Sequence, residues 1–200
     1  GLEVKGNPNL LPEKVHALEI IYKNSENENL LWDIAVFYNA YDNMIDFVYN
    51  VPTIAQNRES VISNGLEYKF KYSPNATLTI SGNYSYLFMK SLDGDPVLYR
   101  PIHKGKLFIT IQSGSIMINA GAKYQSKQYY ENFLKEFDYE NGFPVETLPK
   151  TIIPEIILTK EYENFKASLH LSNFSNTKYE LIQNYTMPGS TWQLTLTTNL

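Results

Sequence analysis

The sequence predicts an all-β chain, an antiparallel up-and-down transmembrane β-barrel of which it supplies about nine strands. Apolar and polar residues alternate with a period of two along most of the chain, and no segment keeps a helical period. The connections between the strands alternate between short and long. The chain also holds 16 tyrosines and 10 phenylalanines, which favour strands and membrane interfaces.

The first half of the chain predicts four strands. Residues 14–23 and 31–48 alternate less regularly, and 31–38 is apolar on both faces in places. The third strand, up to Tyr72, places Leu66, Tyr68, Phe70 and Tyr72 opposite Glu67, Lys69 and Lys71. In the fourth, 77–88, the apolar side chains are Leu78, Ile80, Tyr84, Tyr86 and Phe88.

The second half predicts five more strands. Residues 106–112 and 150–160 alternate approximately. In 116–125, Ile116, Ile118, Ala120, Ala122 and Tyr124 face away from Asn119, Gly121, Lys123 and Gln125. In 165–172, Phe165, Ala167, Leu169 and Leu171 oppose Lys166, Ser168, His170 and Ser172.

The last strand, 191–200, has the sharpest alternation. Trp192, Leu194, Leu196 and Leu200 share one face, and uncharged polar residues occupy the other. A soluble sheet would cover such an apolar face with a second layer, whereas an outer-membrane barrel exposes it to lipid. Both interpretations are open at this point.

The connections favour the membrane interpretation. Short links at 25–29, 73–75, 113–114 and 161–164 alternate with long ones at 49–57, 91–104, 127–149 and 173–190. One end of the sheet therefore has tight turns and the other has large loops, as in outer-membrane barrels. A soluble lectin-like sandwich with binding loops at one end could show a similar pattern. Because single-chain bacterial barrels have even strand numbers, about nine strands would form only part of a larger barrel.

Composition excludes several classes of function. The net charge is −4 and no basic stripe is present, which argues against nucleic-acid binding. With no cysteine, the chain has no disulfide, thiolate metal site or cysteine nucleophile. No apolar run approaches the roughly 18 residues of a spanning helix. The start at Gly1, without a signal-peptide core, suggests a mature or excised segment.

No catalytic, cofactor or metal site is predicted. His16, His103 and His170 are far apart, and Asp93-Gly94-Asp95 lacks the acids that would complete a calcium loop. The 127–149 loop combines acidic residues with aromatic ones: Glu131, Glu136, Asp138 and Glu140 with Tyr129, Tyr130, Phe133, Phe137 and Tyr139. A small aromatic cluster is the first interpretation of this loop, and contact with a cationic or aromatic ligand the second. No nucleophile–base arrangement or phosphate loop is visible, so an enzyme is not expected.

Six motifs, in order along the chain, resemble those of TonB-dependent outer-membrane receptors. They are Gly6-Asn7-Pro8-Asn9-Leu10-Leu11-Pro12-Glu13; Phe37-Tyr38-Asn39 with Asn43-Met44-Ile45; Asn57 with Gly65-Leu66-Glu67; Arg100-Pro101-Ile102-His103; Asn173-Phe174-Ser175-Asn176 with Tyr179; and Tyr185-Thr186-Met187-Pro188-Gly189-Ser190. Three positions depart from the family pattern. Asn43 replaces an acid, Ser190 replaces an arginine, and Leu200 stands where a terminal aromatic is usual.

The resemblance implies that residues 1–200 are the C-terminal part of a plugged barrel in the bacterial outer membrane, without its plug and N-terminal barrel strands. It implies TonB-dependent uptake of a scarce ligand such as a ferric siderophore, haem or cobalamin, with TonB acting through the plug. Tyr84, Trp192, Leu194 and Leu196 would face lipid, and Glu67, Lys69, Lys71 and Lys123 would face the lumen. Loops 91–104 and 127–149 would help form the vestibule, with the ligand and its binding residues unknown. The alternative is a soluble β-sandwich that binds a ligand or serves in adhesion.

Overall fold

The computed structural model describes residues 4–48, 53–57, 60–92, 97–138 and 142–198. Nine long strands form the main sheet: β2 (Lys14–Asn27), β3 (Leu30–Asp42), β6 (Ser60–Tyr72), β7 (Leu78–Ser91), β8 (His103–Ser113), β9 (Ile116–Gln125), β12 (Thr151–Glu161), β13 (Phe165–Ser172) and β16 (Thr191–Thr198). Seven short strands lie outside it: β1 (Val4–Lys5), β4 (Ile45–Val48), β5 (Thr53–Asn57), β10 (Gln128–Glu131), β11 (Val145–Leu148), β14 (Glu180–Ile182) and β15 (Tyr185–Thr186). None of the described residues forms a helix long and apolar enough to span a membrane.

Each long strand pairs antiparallel with the next long strand along the chain. The order across the sheet is β16-β13-β12-β9-β8-β7-β6-β3-β2, so the up-and-down arrangement of nine strands is confirmed. Strands β2 and β16 are the two edges of this sheet in the described part of the chain. The nine long strands therefore form one open sheet, hereafter called the wall.

One strand prediction was wrong in its extent. The expected strand 31–48 leaves the main sheet after Asp42, because Asn43 has a φ of 54° and turns the chain. Its remainder, β4, pairs with β5 in a separate three-stranded sheet that also contains β1. The predicted positions 93–96, 139–141 and 199–200 lie outside the described residues, so Asp93-Gly94-Asp95, Tyr139, Glu140 and Leu200 are not placed.

The sorting of connections by length is confirmed. The turns 28–29, 73–77, 114–115 and 162–164 lie at one end of the sheet. The loops 43–59, 92–102, 126–150 and 173–190 lie at the other, because strand direction alternates. Three of these loops hold short strands of their own, β4 and β5, β10 and β11, and β14 and β15. The described residues of the long loops thus form a layer above one end of the wall.

The two faces of the main sheet have opposite character. Residues that are paired across two antiparallel strands point to the same face of the sheet. The register therefore brings most apolar side chains of the strands onto one face, here called the apolar face. Its members include Leu18, Ile20, Trp32, Ile34, Leu66, Phe70, Ile80, Tyr84, Ile109, Ile118, Ile156, Leu169, Trp192, Leu194 and Leu196. The opposite, polar face carries Glu67, Lys69, Lys71 and Lys123 together with other polar residues. The predicted assignment of these residues to two opposite faces is therefore confirmed.

The apolar face is uncovered. Trp192 is 73% exposed, Ile20 66% and Leu196 64%. In the described part of the chain only four hydrophobic residues are buried, Val61, Tyr130, Leu148 and Ile153, and none of them belongs to the apolar face. A soluble sandwich would bury its apolar face under a second sheet. The sandwich alternative does not fit this arrangement.

Rows of paired residues run obliquely across the apolar face. From Ile20 in β2 the row passes through Val36, Leu66 and Tyr86 to His103, the first residue of β8. From Leu194 in β16 another row runs through Leu169, Leu158, Ile118 and Ile111 to Leu78, the first residue of β7. A row that starts in the middle of an edge strand therefore reaches the end of a strand before it has crossed the whole sheet. This stagger is what the tilted strands of a barrel wall require.

Four glycines of the main sheet lie opposite an aromatic residue of the preceding long strand. The pairs are Gly65 with Phe37, Gly82 with Phe70, Gly105 with Tyr84, and Gly121 with Phe108. A Cβ atom on Gly121 would lie 2.1 Å from the Leu107 carbonyl oxygen and 2.6 Å from the Phe108 ring. The ring covers the glycine, and the close approach leaves no room for a side chain there.

Candidate functional site

Three long loops contact one another above the wall. The Tyr99 amide donates to the Tyr129 carbonyl at 2.8 Å, which joins loop 92–102 to loop 126–150. The Gln128 side chain donates to the Leu181 carbonyl at 2.7 Å, which joins loop 126–150 to loop 173–190. These three loops, hereafter the loop cluster, therefore form one connected surface at the long-loop end.

The carboxylate of Glu146 organises the middle loop. It accepts hydrogen bonds from the Tyr130 hydroxyl at 2.9 Å and the Asn132 amide at 3.0 Å, and it pairs with Lys135 Nζ at 2.5 Å. The hydrogen bond from Lys135, then those from Tyr130 and Asn132, lower the pKa of Glu146 to about 2. Burial raises the pKa of Tyr130, and the hydrogen bond to Glu146 raises it further. Glu146 is thus ionised at neutral pH and holds β10 and β11 together.

The aromatic residues of this loop divide into two groups. Phe133 and Phe137 each pack edge-on against Phe143, with ring centroids 5.0 Å apart, so two of the five predicted aromatic residues form a cluster, around a phenylalanine that was not predicted. Leu134 beside it is 76% exposed. Tyr130 instead packs inward, and Lys127 Nζ lies 5.9 Å from the Tyr129 ring centroid. An exposed apolar surface therefore tops the loop cluster.

Below the loop cluster, the polar face contains a lysine-rich cleft of about 240 Å³. Lys123 Nζ lies 2.5 Å from Oε1 of Glu155, a buried carboxylate that also accepts from the Ser172 hydroxyl at 3.2 Å. Lys104 and Lys106 line the same cleft, and Tyr179 and Leu181 of loop 173–190 lie over it. Sequence reasoning found Lys123 but missed Lys104, Lys106 and Glu155, although Lys104-Gly105-Lys106 already placed two lysines on one face.

The histidines lie in three separate places. The Tyr84 hydroxyl and His103 Nδ1 share a hydrogen bond of 2.7 Å on the apolar face, and His16 Nε2 lies 4.0 Å from Asp42. His170 is on the polar face, with Nε2 3.8 Å from Glu155. Within the ranges that the structure describes, no group of three or more His, Cys, Asp or Glu residues could hold a metal ion.

The first motif residues anchor the loop that follows β3. The Asn57 side chain donates to the Leu11 and Asn43 carbonyls at 2.9 and 2.7 Å and accepts from the Leu11 amide at 2.8 Å. Glu13 accepts from the Ile45 amide at 2.6 Å. Motif residues that lie up to 46 positions apart in the sequence are therefore joined by hydrogen bonds.

The last two motifs also meet each other. Asn173, which is buried, donates to the Thr177 and Pro188 carbonyls at 2.9 and 3.1 Å. The Ser190 hydroxyl donates to the Asn173 carbonyl at 2.9 Å. Ser190, which departs from the family pattern, thus has a structural role of its own. These motif residues close the base of loop 173–190.

Comparisons with known proteins agree with this architecture. A family model described as TonB dependent receptor-like, beta-barrel, matches residues 2–152. No curated protein sequence gave a significant match.

Solved structures share the fold at low sequence identity. The copper transporter OprC superposes with a TM-score of 0.79 and 14% identity, over 96% of this chain and 33% of OprC. The siderophore receptor PirA from Acinetobacter baumannii gives 0.76 and 16%, over 96% and 32%. The ferric enterobactin receptor PfeA from Pseudomonas aeruginosa, an R480A mutant in complex with enterobactin, gives 0.79 and 18%, over 98% and 32%. The chain spans about a third of the length of these proteins.

Proposed function

The chain belongs to the TonB-dependent receptor β-barrel family of bacterial outer-membrane proteins, and on this premise we propose that it forms wall and vestibule of a receptor that imports a scarce ligand. The observation that supports the proposal is that the sheet separates apolar from polar side chains on its two faces and short turns from long loops at its two ends. An uncovered apolar face, an opposite polar face and long loops at one end are what a transport barrel needs.

The surroundings of the wall follow from its two faces. Trp192, Leu194, Leu196 and Tyr84 contact the hydrocarbon of the outer membrane. Glu67, Lys69, Lys71 and Lys123 face the lumen. The open edges at β2 and β16 pair with further barrel strands, since an unpaired strand edge in lipid leaves backbone groups unsatisfied.

Residues 1–200 are, in this proposal, the C-terminal part of the receptor. The plug and the N-terminal barrel strands belong to the rest of the protein, and TonB acts through the plug. The similarity to proteins about three times as long supports this division. The chain then has no catalytic role and serves transport alone.

The imported ligand is a metal ion or a metal chelate. Support comes from the neighbours, which are described as a copper transporter and as siderophore receptors. Ferric siderophores are the foremost class, with haem and cobalamin as further members of the expected range. The exposed surface around Leu134 and the phenylalanine cluster is where the ligand first meets the loop cluster.

Cell fractionation and uptake test the proposal together. The complete protein, expressed in a Gram-negative host, is expected in the outer-membrane fraction and in detergent extracts. Cells that carry it are expected to accumulate a radiolabelled metal chelate from a siderophore panel only when TonB is present. Recovery of folded protein from the soluble fraction without detergent would refute the membrane assignment, and TonB-independent accumulation would refute active import.

A further inference from the structure

Two lysines oppose each other on the luminal side of the wall. Lys106 in β8 is the direct cross-strand partner of Lys123 in β9, and both side chains are exposed on the polar face. Lys104 lies two residues before Lys106, on the same strand and the same face. Like charges directly opposite one another destabilise a sheet.

The described residues supply little negative charge to these three lysines. Among these lysines Glu155 pairs only with Lys123; its other carboxylate oxygen lies 3.8 Å from His170 Nε2, and its side chain is only 7% exposed. Neither Lys104 nor Lys106 makes an ion pair or a side-chain hydrogen bond with any residue in the described ranges. Glu67 lies two strands from Lys104, or roughly 10 Å across the sheet. Within the described part of this chain, Lys104 and Lys106 therefore have no ion-pair partner.

The cleft around the lysines has walls and a cover. Asn83, Gln125 and Thr151 line it together with the lysines, and Tyr179 lies over it. Loop 173–190, which carries Tyr179, is tied to loop 126–150 through the Gln128–Leu181 hydrogen bond. The lysines are near the long-loop ends of β8 and β9, so the cleft lies directly beneath the loop cluster.

We propose that Lys104, Lys106 and Lys123 form an anion-binding site in the vestibule wall, and that the imported ligand carries an anionic group that binds there. This inference rests on the proposed import function. The chemistry is that of ammonium donors and an anionic oxygen, as in a carboxylate or a deprotonated chelating group. Lys123 is held in place by Glu155, whereas Lys104 and Lys106 contribute the uncompensated charge.

Citrate is a suitable probe because it presents several carboxylates on a small frame. Calorimetric titration of citrate into the complete receptor in detergent is expected to show saturable binding that weakens with added salt. The double variant K104Q/K106Q is expected to weaken it roughly tenfold or more, since each charged hydrogen bond contributes about 1.5–3 kcal/mol. Lys123 is left intact because its removal would leave the buried Glu155 carboxylate without its cationic partner.

Lys71→Gln is the matched control. It removes one positive charge from the same face, against two in K104Q/K106Q, and Lys71 lies at the short-turn end of β6, opposite Leu31 and Ser81. Citrate affinity within about twofold of the unchanged protein is expected for it. K104Q/K106Q is expected to melt at or above the wild-type temperature without citrate, because a like-charge contact is relieved.

Two results would overturn the site. One is that the unchanged receptor fails to bind citrate, as expected if an acidic group inside the barrel already neutralises the lysines. The other is an equal loss of affinity in K71Q and K104Q/K106Q. Since the titration needs neither TonB nor transport, citrate binding without any uptake would refute the import function and leave the site standing.

Discussion

Gln183 Nε2 lies 2.7 Å from Asn132 Oδ1, and this hydrogen bond joins two loops whose partners are 51 residues apart. Asn132 is buried, and its amide also donates to Glu146 at 3.0 Å. The last loop is therefore fastened to the carboxylate that organises the middle loop. The arrangement of the loop cluster depends on these three linked side chains, Gln183, Asn132 and Glu146.

Replacing Gln183 by Met, which keeps the length and removes the donor, is expected to release loop 173–190. Loss of one net hydrogen bond corresponds to about 1 kcal/mol, while Asn132 Oδ1 keeps the hydrogen bond from the Leu134 amide at 3.1 Å. Hydrogen exchange of the backbone amides in that loop is expected to rise about fivefold or more. K178M, on the same loop at an exposed position, is the control, and equal exchange in both variants would contradict the role of the contact.

The Glu146 network predicts a dependence on acid pH. Because the folded pKa is lowered from 4.5 to about 2, the carboxylate stabilises the folded loop fully above pH 4.5 and loses that contribution as the pH falls through about 2. Amide exchange of β10 and β11 is expected to show this loss between those values. In E146Q the acid-dependent loss is expected to vanish. A pH response unchanged by E146Q would assign the effect to another group.

Charges on the two faces of the last strand are expected to act differently. L194R places a cation on the apolar face and is expected to cost about 2–4 kcal/mol in a bilayer. T195R places the same side chain on the polar face and is expected to cost less than about 1 kcal/mol. Urea unfolding of the complete receptor in liposomes measures both. Equal destabilisation would contradict the assignment of the faces.

The aromatic–glycine pairs predict a graded response to alanine. In G121A the new Cβ meets a backbone oxygen at 2.1 Å, whereas in G105A the nearest atom is 3.3 Å away. We expect G121A to cost about 1–3 kcal/mol through forced shifts, and G105A to cost less. Unfolding midpoints of the two variants in urea provide the comparison, and a larger loss in G105A would be inconsistent with the packing.

The wall was predictable because its signals are local. Alternation in each strand fixes the two faces, and antiparallel pairing of neighbours along the chain fixes the order, so Trp192, Leu194 and Tyr84 were correctly placed together. The early end of β3 was not predictable, since it depends on the left-handed conformation of Asn43. Alternation alone does not indicate such a conformation.

The candidate site was less accessible to sequence reasoning. The opposition of Lys106 and Lys123 depends on the register between two strands, and a single strand's pattern does not contain it. The loop contacts of Gln183 and Asn132 join distant segments through polar groups that show no periodicity. Sequence reasoning identified an aromatic loop, but it did not identify Glu146 as the centre of that loop.

Cysteine labelling tests the orientation of the wall most directly. The chain has no cysteine, so single replacements can be placed at Leu134 in the loop cluster and at Glu163 in the 162–164 turn of a complete receptor free of other cysteines. With a membrane-impermeant maleimide, L134C is expected to react in intact cells, and E163C only after the outer membrane is opened. Reaction of E163C in intact cells, or of neither residue until lysis, would contradict a wall that spans the outer membrane with its long loops outside.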